Sequence, residues 1–339
     1  MKKFALILFI FFLFSFLNAQ IFTGNRAFNL SIEPAAAYTN GFLGEYFFRH
    51  YLEDKSKKES YLEWDKKLIL YGAQFSSNYK RIHIDALFLN TVQNRESGKM
   101  SDSDWKNDSD YSMKTTYSTG DNEACRNFTM EASLYFDFYP SERLCISPLV
   151  QVQYDYDSFA CKESEGWKSD GKHWWYDENS TYYPRYNPQT GKREKLGEID
   201  YNRKSLYTWT GFKVKTKLTE RLSFDFSALA SPYAYFYSLD THWSQDKSTK
   251  ERFKKHRRQI QTAYFPAIKL QAKADFAINR IFDLTFSASG LFSLKITRGK
   301  WENDFYGDSL QNGYYDTYQN SGSDMQYLSA RIGLKIKVL

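Results

Sequence analysis

The chain has 339 residues, among them 27 Tyr, 28 Phe and 8 Trp, with a formal net charge of +6 and a mean hydropathy of −0.63. Beyond the first nineteen residues no stretch approaches the roughly 20 apolar residues of a spanning helix, which excludes a helical membrane protein, and the mild positive balance, two of whose charges are Lys2 and Lys3, gives no sign of nucleic acid. Such an aromatic load is hard to hide in one soluble core, whereas membrane β-barrels display aromatics to lipid in girdles.

In chain order, Lys2 and Lys3 precede an apolar run from Phe4 to Leu17, and the small residue Ala19 follows. This is the pattern of a secretory signal peptide over 1–19, with the mature chain expected to begin near Gln20. Residues 20–339 read as one domain without linkers or repeats. Strict alternation of apolar and polar residues then dominates, and period two means strand. Leu222, Phe224, Phe226 and Ala228 oppose Ser223, Asp225 and Ser227; Leu328, Ala330, Ile332, Leu334 and Ile336 oppose Ser329, Arg331, Gly333 and Lys335. The same alternation predicts ten strands, near 28–39, 59–74, 77–91, 124–139, 143–158, 200–217, 221–240, 257–275, 280–297 and 324–338.

Connections alternate between short turns, such as Pro140 to Arg143 and Thr219 to Glu220, and long polar loops near 40–58, 92–123, 159–199, 241–256 and 298–323. An even strand count with short turns on one side and long loops on the other defines the expected fold: all-β, a ten-stranded antiparallel transmembrane β-barrel with long extracellular loops and short periplasmic turns. Several strands exceed the roughly 9 to 11 residues that cross a bilayer, so the wall should rise above the outer surface. Cys125, Cys145 and Cys161 permit one disulfide in an exported protein. Cys125 with Cys161 is the expected pair, since both fall at the top of one hairpin and Cys145 lies by its lower turn.

Two pairs of chemically capable residues lie in the loops, Asp102 with Asp104 and Asp240 with His242. In extended backbone the i, i+2 spacing points both members of a pair to one face. Two neighbouring carboxylates can share a proton and hold a water, and a carboxylate beside an imidazole raises its basicity and fixes its orientation. An Asp-rich loop with Asp102, Asp104, Asp108 and Asp110 is more commonly just solvated. A calcium loop is disfavoured, because Lys106, Asn107 and Met113 stand where an EF-hand places an oxygen ligand, its glycine and its final glutamate. Continuing the outward even-numbered face from Leu222 through Ala230 would turn Asp240 and His242 outward. A one-residue bulge at Pro232, which cannot donate to a ladder, would turn them inward and leave Tyr233, Tyr235 and Tyr237 as an outer girdle. Lys247, Lys250, Arg252, Lys254, Lys255, Arg257 and Arg258 read either as a solvated outer loop or as a contact to anionic headgroups. Trp167, His173, Trp174, Trp175 and Tyr176 in the third loop fit a peptide or glycan grip and loop packing equally.

Four segments together resemble the omptins, ten-stranded outer-membrane endopeptidases with an active site in a groove at the outer mouth. They are Gly41-Phe42-Leu43-Gly44-Glu45, Ser60-Tyr61-Leu62-Glu63-Trp64-Asp65-Lys66, Lys99-Met100-Ser101-Asp102-Ser103-Asp104-Trp105 and Asp240-Thr241-His242, and their order and topological places agree with the family. The resemblance implies that Asp102 and Asp104 form an aspartate couple facing an Asp240–His242 dyad. A water between Asp102 and His242 would attack the peptide, with His242 as general base and without metal, cofactor or covalent intermediate. Glu45 matches the acidic residue that holds a basic side chain at the cleavage site. The family's second acid for that side chain is absent, Ser238 standing in its place, which weakens basic specificity. The family's lipopolysaccharide motif in the fifth strand is not recognisable around Tyr154 to Phe159.

The expected function is thus an omptin-like endopeptidase of the bacterial outer membrane, its site facing outward, cleaving peptides or proteins near basic residues. The expected lipid partner is that of the outer membrane, an anionic glycolipid among the candidates, and the expected state is a monomer. The alternative is a non-catalytic adhesin or binding barrel on the same scaffold. A diffusion porin ranks third, since ten strands leave little lumen.

Overall fold

The structure is a computed structural model that describes residues 28–48, 58–107, 109–110, 112–138, 143–169, 174–176, 185–186, 193–194, 199–245, 252–306 and 315–338. The strands in chain order are β1 (Phe28–Phe48), β2 (Lys58–Asp65), β3 (Leu68–Tyr79), β4 (Ile82–Thr91), β5 (Arg95–Asp104), β6 (Thr116–Ala124), β7 (Phe128–Phe136) and β8 (Leu144–Ser169). They continue with the short β9 (Trp174–Tyr176), β10 (Arg185–Tyr186) and β11 (Arg193–Glu194), then β12 (Ile199–Lys217), β13 (Leu222–Gln245), β14 (Arg252–Ala263), β15 (Ala267–Ala277), β16 (Phe282–Ser293), β17 (Ile296–Tyr306) and β18 (Tyr315–Lys337).

Five pairs are upper and lower pieces of single staves: β2 with β3, β5 with β4, β6 with β7, β14 with β15, and β17 with β16. The ring therefore has ten staves, all antiparallel, and closes where β1 pairs with β18, for example Glu45 with Ser323 and Ala36 with Ile332. The ten-stranded barrel read from alternation is the observed fold. Its strands run much further than the alternation alone marked: β1 reaches Phe48, β5 and β6 occupy most of the predicted second loop, and β13 reaches Gln245. The upper wall is sheet rather than loop because ladder pairing continues without the apolar outer face that made the lower half legible.

On the lower part of the wall, the side chains facing out are large and apolar, among them Ile69, Phe88, Val150, Phe212, Phe226, Ile268, Phe286 and Ile332, all exposed. Inside, the lumen is filled. Buried ion pairs Lys66–Asp157 (2.8 Å), Lys269–Glu131 (2.6 Å), Lys213–Asp225 (2.9 Å) and Lys273–Glu33 (2.6 Å) cross it. They leave a cavity of about 140 Å³ lined by Gln74, Glu131 and Lys269 among others. Above these pairs, Trp64 stacks on Tyr201 (centroids 5.3 Å apart) and on Phe159 (6.2 Å), all three fully buried. This aromatic layer is the floor of the mouth formed by the upper strand extensions.

The bulge expected at Pro232 is present. On β13 the register with β12 passes from Thr210↔Ala230 to Thr208↔Tyr233, so Ser231 and Pro232 stand against the single residue Trp209. Below it Asp225, Ser227 and Leu229 face inward; above it Ala234, Phe236, Ser238 and Asp240 do. The neighbouring stave breaks at the same level, where Phe265 donates its N–H to the Pro232 carbonyl at 3.4 Å with a left-handed φ of 50°. Tyr233 and Tyr264 meet there on the outer wall, 5.8 Å between ring centroids.

The expected disulfide is not formed; Cys125, Cys145 and Cys161 are all thiols. Ala124 pairs with Phe159 on the inner face, so its neighbour Cys125 points outward, whereas Cys161 is buried opposite Ile199. Two cysteines on opposite faces of one sheet cannot bridge. The proposed signal segment, Pro140, Asp108, His173, Lys247 and Lys250 lie outside the described residues, as do the side chains of Trp167, Trp174, Trp175, Tyr176, Arg252, Lys254 and Lys255.

Candidate active site

Two changes of facing bring the acidic pairs into the mouth. On the third stave Leu89 and Thr91 point inward, and higher up Met100 and Asp102 do, so the odd-inward face becomes even-inward between them. The switch falls at Gly98, where the register with β6 jumps between Glu96 and Lys99. Gly98 has φ of 102°, and a Cβ there would lie 2.3 Å from the Asp65 carboxylate, so only glycine fits. Above it Asp102 pairs with Leu62 of β2, and Leu62 with Glu45 of β1, placing three inner-face residues side by side. Across the mouth, the Pro232 bulge delivers Ser238, Asp240 and His242 to the inner face.

The Asp240–His242 pair is made. His242 Nε2 lies 2.6 Å from Asp240 Oδ2, and Asp240 is fully buried while His242 keeps a fifth of its side chain exposed. An ionised carboxylate only accepts, so Nε2 carries the hydrogen and Nδ1 is left as the basic nitrogen. The second oxygen, Asp240 Oδ1, is buried with no protein partner.

Asp102 and Asp104 share the inner face of β5. Asp102 accepts a long contact from the Ser60 hydroxyl (3.4 Å), and Asp104 pairs with the exposed Lys106 ammonium at 2.7 Å. Burial, followed by the Asp104 charge, pushes the Asp102 carboxyl up to about 7, with His242 and Arg257 pulling the other way. The dyad's imidazole and carboxylate both act on Asp102, so the pairs lie within electrostatic reach of each other.

Glu45 and Ser238 join directly. Ser238 Oγ–H donates to Glu45 Oε1 at 2.7 Å, a bond from β13 across the barrel to β1. Glu45 is 1% exposed, and its Oε2 has no partner. Burial, then the charge of Asp240, raises its carboxyl to about 8, against the Ser238 hydrogen bond and the charges of Arg203 and Arg257.

Sequence reading missed three members of this cluster. Arg203, the cross-strand neighbour of Ser238, is buried, with its guanidinium 4.7 Å over the Phe236 ring and bonded to Ser205 and Ser323. Its inward parity on β12, shared with Tyr201 and Tyr207, was the available signal. Arg257, read as part of a solvated or lipid-facing basic loop, is the cross-strand neighbour of Asp240 on β14 and lies over the Phe47 ring at 5.4 Å. Only the strand register could have shown this. Tyr201, cross-strand from Asp240, belongs to the aromatic floor.

No protein-family model and no curated protein matches the sequence. Among solved structures, the outer membrane protease OmpT from Escherichia coli superposes with a TM-score of 0.72 at 13% identity, over 93% of this chain and 99% of that one. The transport unit of the autotransporter AIDA-I from Escherichia coli aligns at 8% identity over 93% of this chain and 92% of its own, with a TM-score of 0.33. The likeness to OmpT is one of fold: this chain has the architecture of an omptin barrel along nearly its whole length.

Proposed function

We propose that the chain is an endopeptidase of the bacterial outer membrane that hydrolyses peptide bonds at the outer mouth of the barrel. The apolar lower belt seats it in lipid, and the site stands above that belt. Glu45 is seven residues beyond Tyr38 on β1, roughly 20 Å along the strand. The observation that carries the reading is the 2.6 Å Asp240–His242 bond, which leaves His242 Nδ1 as a base within electrostatic reach of Asp102 across the mouth.

In the proposed reaction a water sits between His242 and Asp102. His242 takes its proton as the oxygen attacks the peptide carbonyl; Asp240, buried and 2.6 Å from the ring, holds it and stabilises the imidazolium. Asp102, kept protonated near neutrality by burial and by Asp104, donates to the developing oxyanion. The imidazolium then returns its proton to the leaving amine. Asp104 sustains the proton on Asp102, and Glu45 with Ser238 forms the adjoining subsite for a substrate side chain, the position at which the resemblance implies a basic residue.

A reconstituted barrel incubated with a mixed peptide library should produce defined fragments. His242→Ala and Asp102→Ala should each lower the rate by about 10²–10⁴, the range for loss of one acid or base. Absence of cleavage, or cleavage unchanged in both variants, would leave the binding-barrel alternative.

A further inference from the structure

The subsite beside the dyad is built from acids and guanidinium groups together. Ser238 is its centre: its hydroxyl bonds Glu45, and its cross-strand neighbour is Arg203. Arg203 and Glu45 are each 1% exposed, and each has one polar atom without a partner, Nη1 on the arginine and Oε2 on the glutamate. Arg203 also reaches Ser323 with Nη2, and Ser323 is the cross-strand neighbour of Glu45. A buried donor and a buried acceptor thus flank one serine.

Arg203 and Arg257 both act on Glu45, and Arg257 acts on Asp102 as well. A lysine or arginine brought to this subsite would add a third cation beside two guanidinium groups, facing a Glu45 carboxyl that burial and the Asp240 charge raise to about 8 and so keep neutral at lower pH. An apolar side chain would leave the donor and the acceptor buried and unmet, a substantial penalty for each. A carboxamide offers one carbonyl and one NH₂, so it can meet both groups, and it meets Glu45 whether that carboxyl is protonated or ionised.

We propose that the subsite formed by Glu45, Ser238 and Arg203 selects a glutamine or asparagine side chain next to the cleaved bond, and discriminates against lysine and arginine. The inference rests on the hydrolytic reading above, and it refines the basic preference that the resemblance implies. Arg257 contributes by charge from the rim, as a specificity-determining residue rather than a catalytic one.

The test is a set of otherwise identical peptides bearing Gln, Asn, Leu, Glu, Lys or Arg at one central position, given to the reconstituted wild-type barrel at pH 6.5 with cleavage sites read by mass spectrometry. The same peptides are titrated against the His242→Ala barrel, so that binding is read independently of turnover. Gln or Asn should exceed Leu and Lys by at least about tenfold in kcat/KM and keep that order in binding, as unmet buried hydrogen-bonding groups require. Arg257→Gln should narrow the gap between Gln and Lys. Lys or Arg at or above Gln, Leu equal to Gln, Glu above both, no binding by either protein, or no change in Arg257→Gln overturns the proposal. Binding with the amide preference but no wild-type cleavage removes the hydrolytic reading and keeps the subsite. Cleavage with a basic preference does the reverse.

Discussion

At the scale of single residues, the site is governed by two carboxyls, Glu45 buried and Asp102 half-buried. Asp102 and Glu45 are raised to about 7 and about 8, in each case first by burial and second by a neighbouring acid, Asp104 or Asp240. Raised carboxyls are neutral below their shifted values and ionise as pH rises through them. If protonated Asp102 donates to the oxyanion, kcat/KM should fall as pH rises through about 7. Asp104→Asn deletes the like charge, so this falling limb should move to lower pH; a limb that stays in place or moves upward would contradict the shared-proton role. Ser238→Asp adds an acid to a pocket holding two cations. Relative cleavage beside lysine or arginine should rise by about tenfold, the effect of roughly 1.4 kcal/mol, measured as the ratio of kcat/KM for matched peptides. An unchanged ratio would place the substrate side chain elsewhere.

At the scale of elements, function depends on where the strands abandon their regular alternation. The apolar outer face made the lower staves readable, and it made the parity conflict at Asp240 visible enough that the Pro232 bulge could be predicted. The corresponding switch at Gly98 carried no such signal, because β5 above it is polar apart from Met100 and has no period to break. Arg257 escaped for the same reason, whereas Arg203 keeps the inward parity of Tyr201 and Tyr207 and could have been found by extending the β12 alternation upward. Where such a period is missing, a strand shows its inner face only through its pairing, which is set by partners distant in sequence. The cysteine pairing failed because nearness in a hairpin was weighed without the side of the sheet, and a one-residue difference in parity decides that. Deleting Pro232 restores the regular alternation and should send Asp240 and His242 to the outer face. The protein should retain β-sheet circular dichroism while losing peptide cleavage; retained cleavage would mean that the bulge does not orient the dyad.

At the scale of the whole molecule, the barrel is a pedestal. Its lumen is closed by an aromatic layer of Trp64, Phe159 and Tyr201 resting on buried ion pairs. Reconstituted into a planar bilayer, the protein should show no steady conductance above leak, and a stable open channel would contradict the filled interior. Lys66 supports the floor, held by Asp157 and over the Tyr327 ring at 4.8 Å. Removing one partner of a buried pair leaves the other charge stranded, typically at a cost of about 3–5 kcal/mol. Lys66→Ala should therefore lower the resistance of the barrel to denaturant unfolding, and an unchanged midpoint would show that the pair is dispensable. Such a pedestal lets β13 and β1 meet across the barrel through the Ser238–Glu45 bond and brings residues far apart in sequence to one mouth.

The central claim is that Asp102 and His242 act on a single water. Cleavage of one peptide by the wild type, Asp102→Ala, His242→Ala and the double variant tests it most directly, since groups that serve one event are strongly non-additive. The double variant should be about as slow as the slower single variant. Losses that multiply, so that the double variant is slower by the product of the two, would show that the residues act independently and would contradict the account.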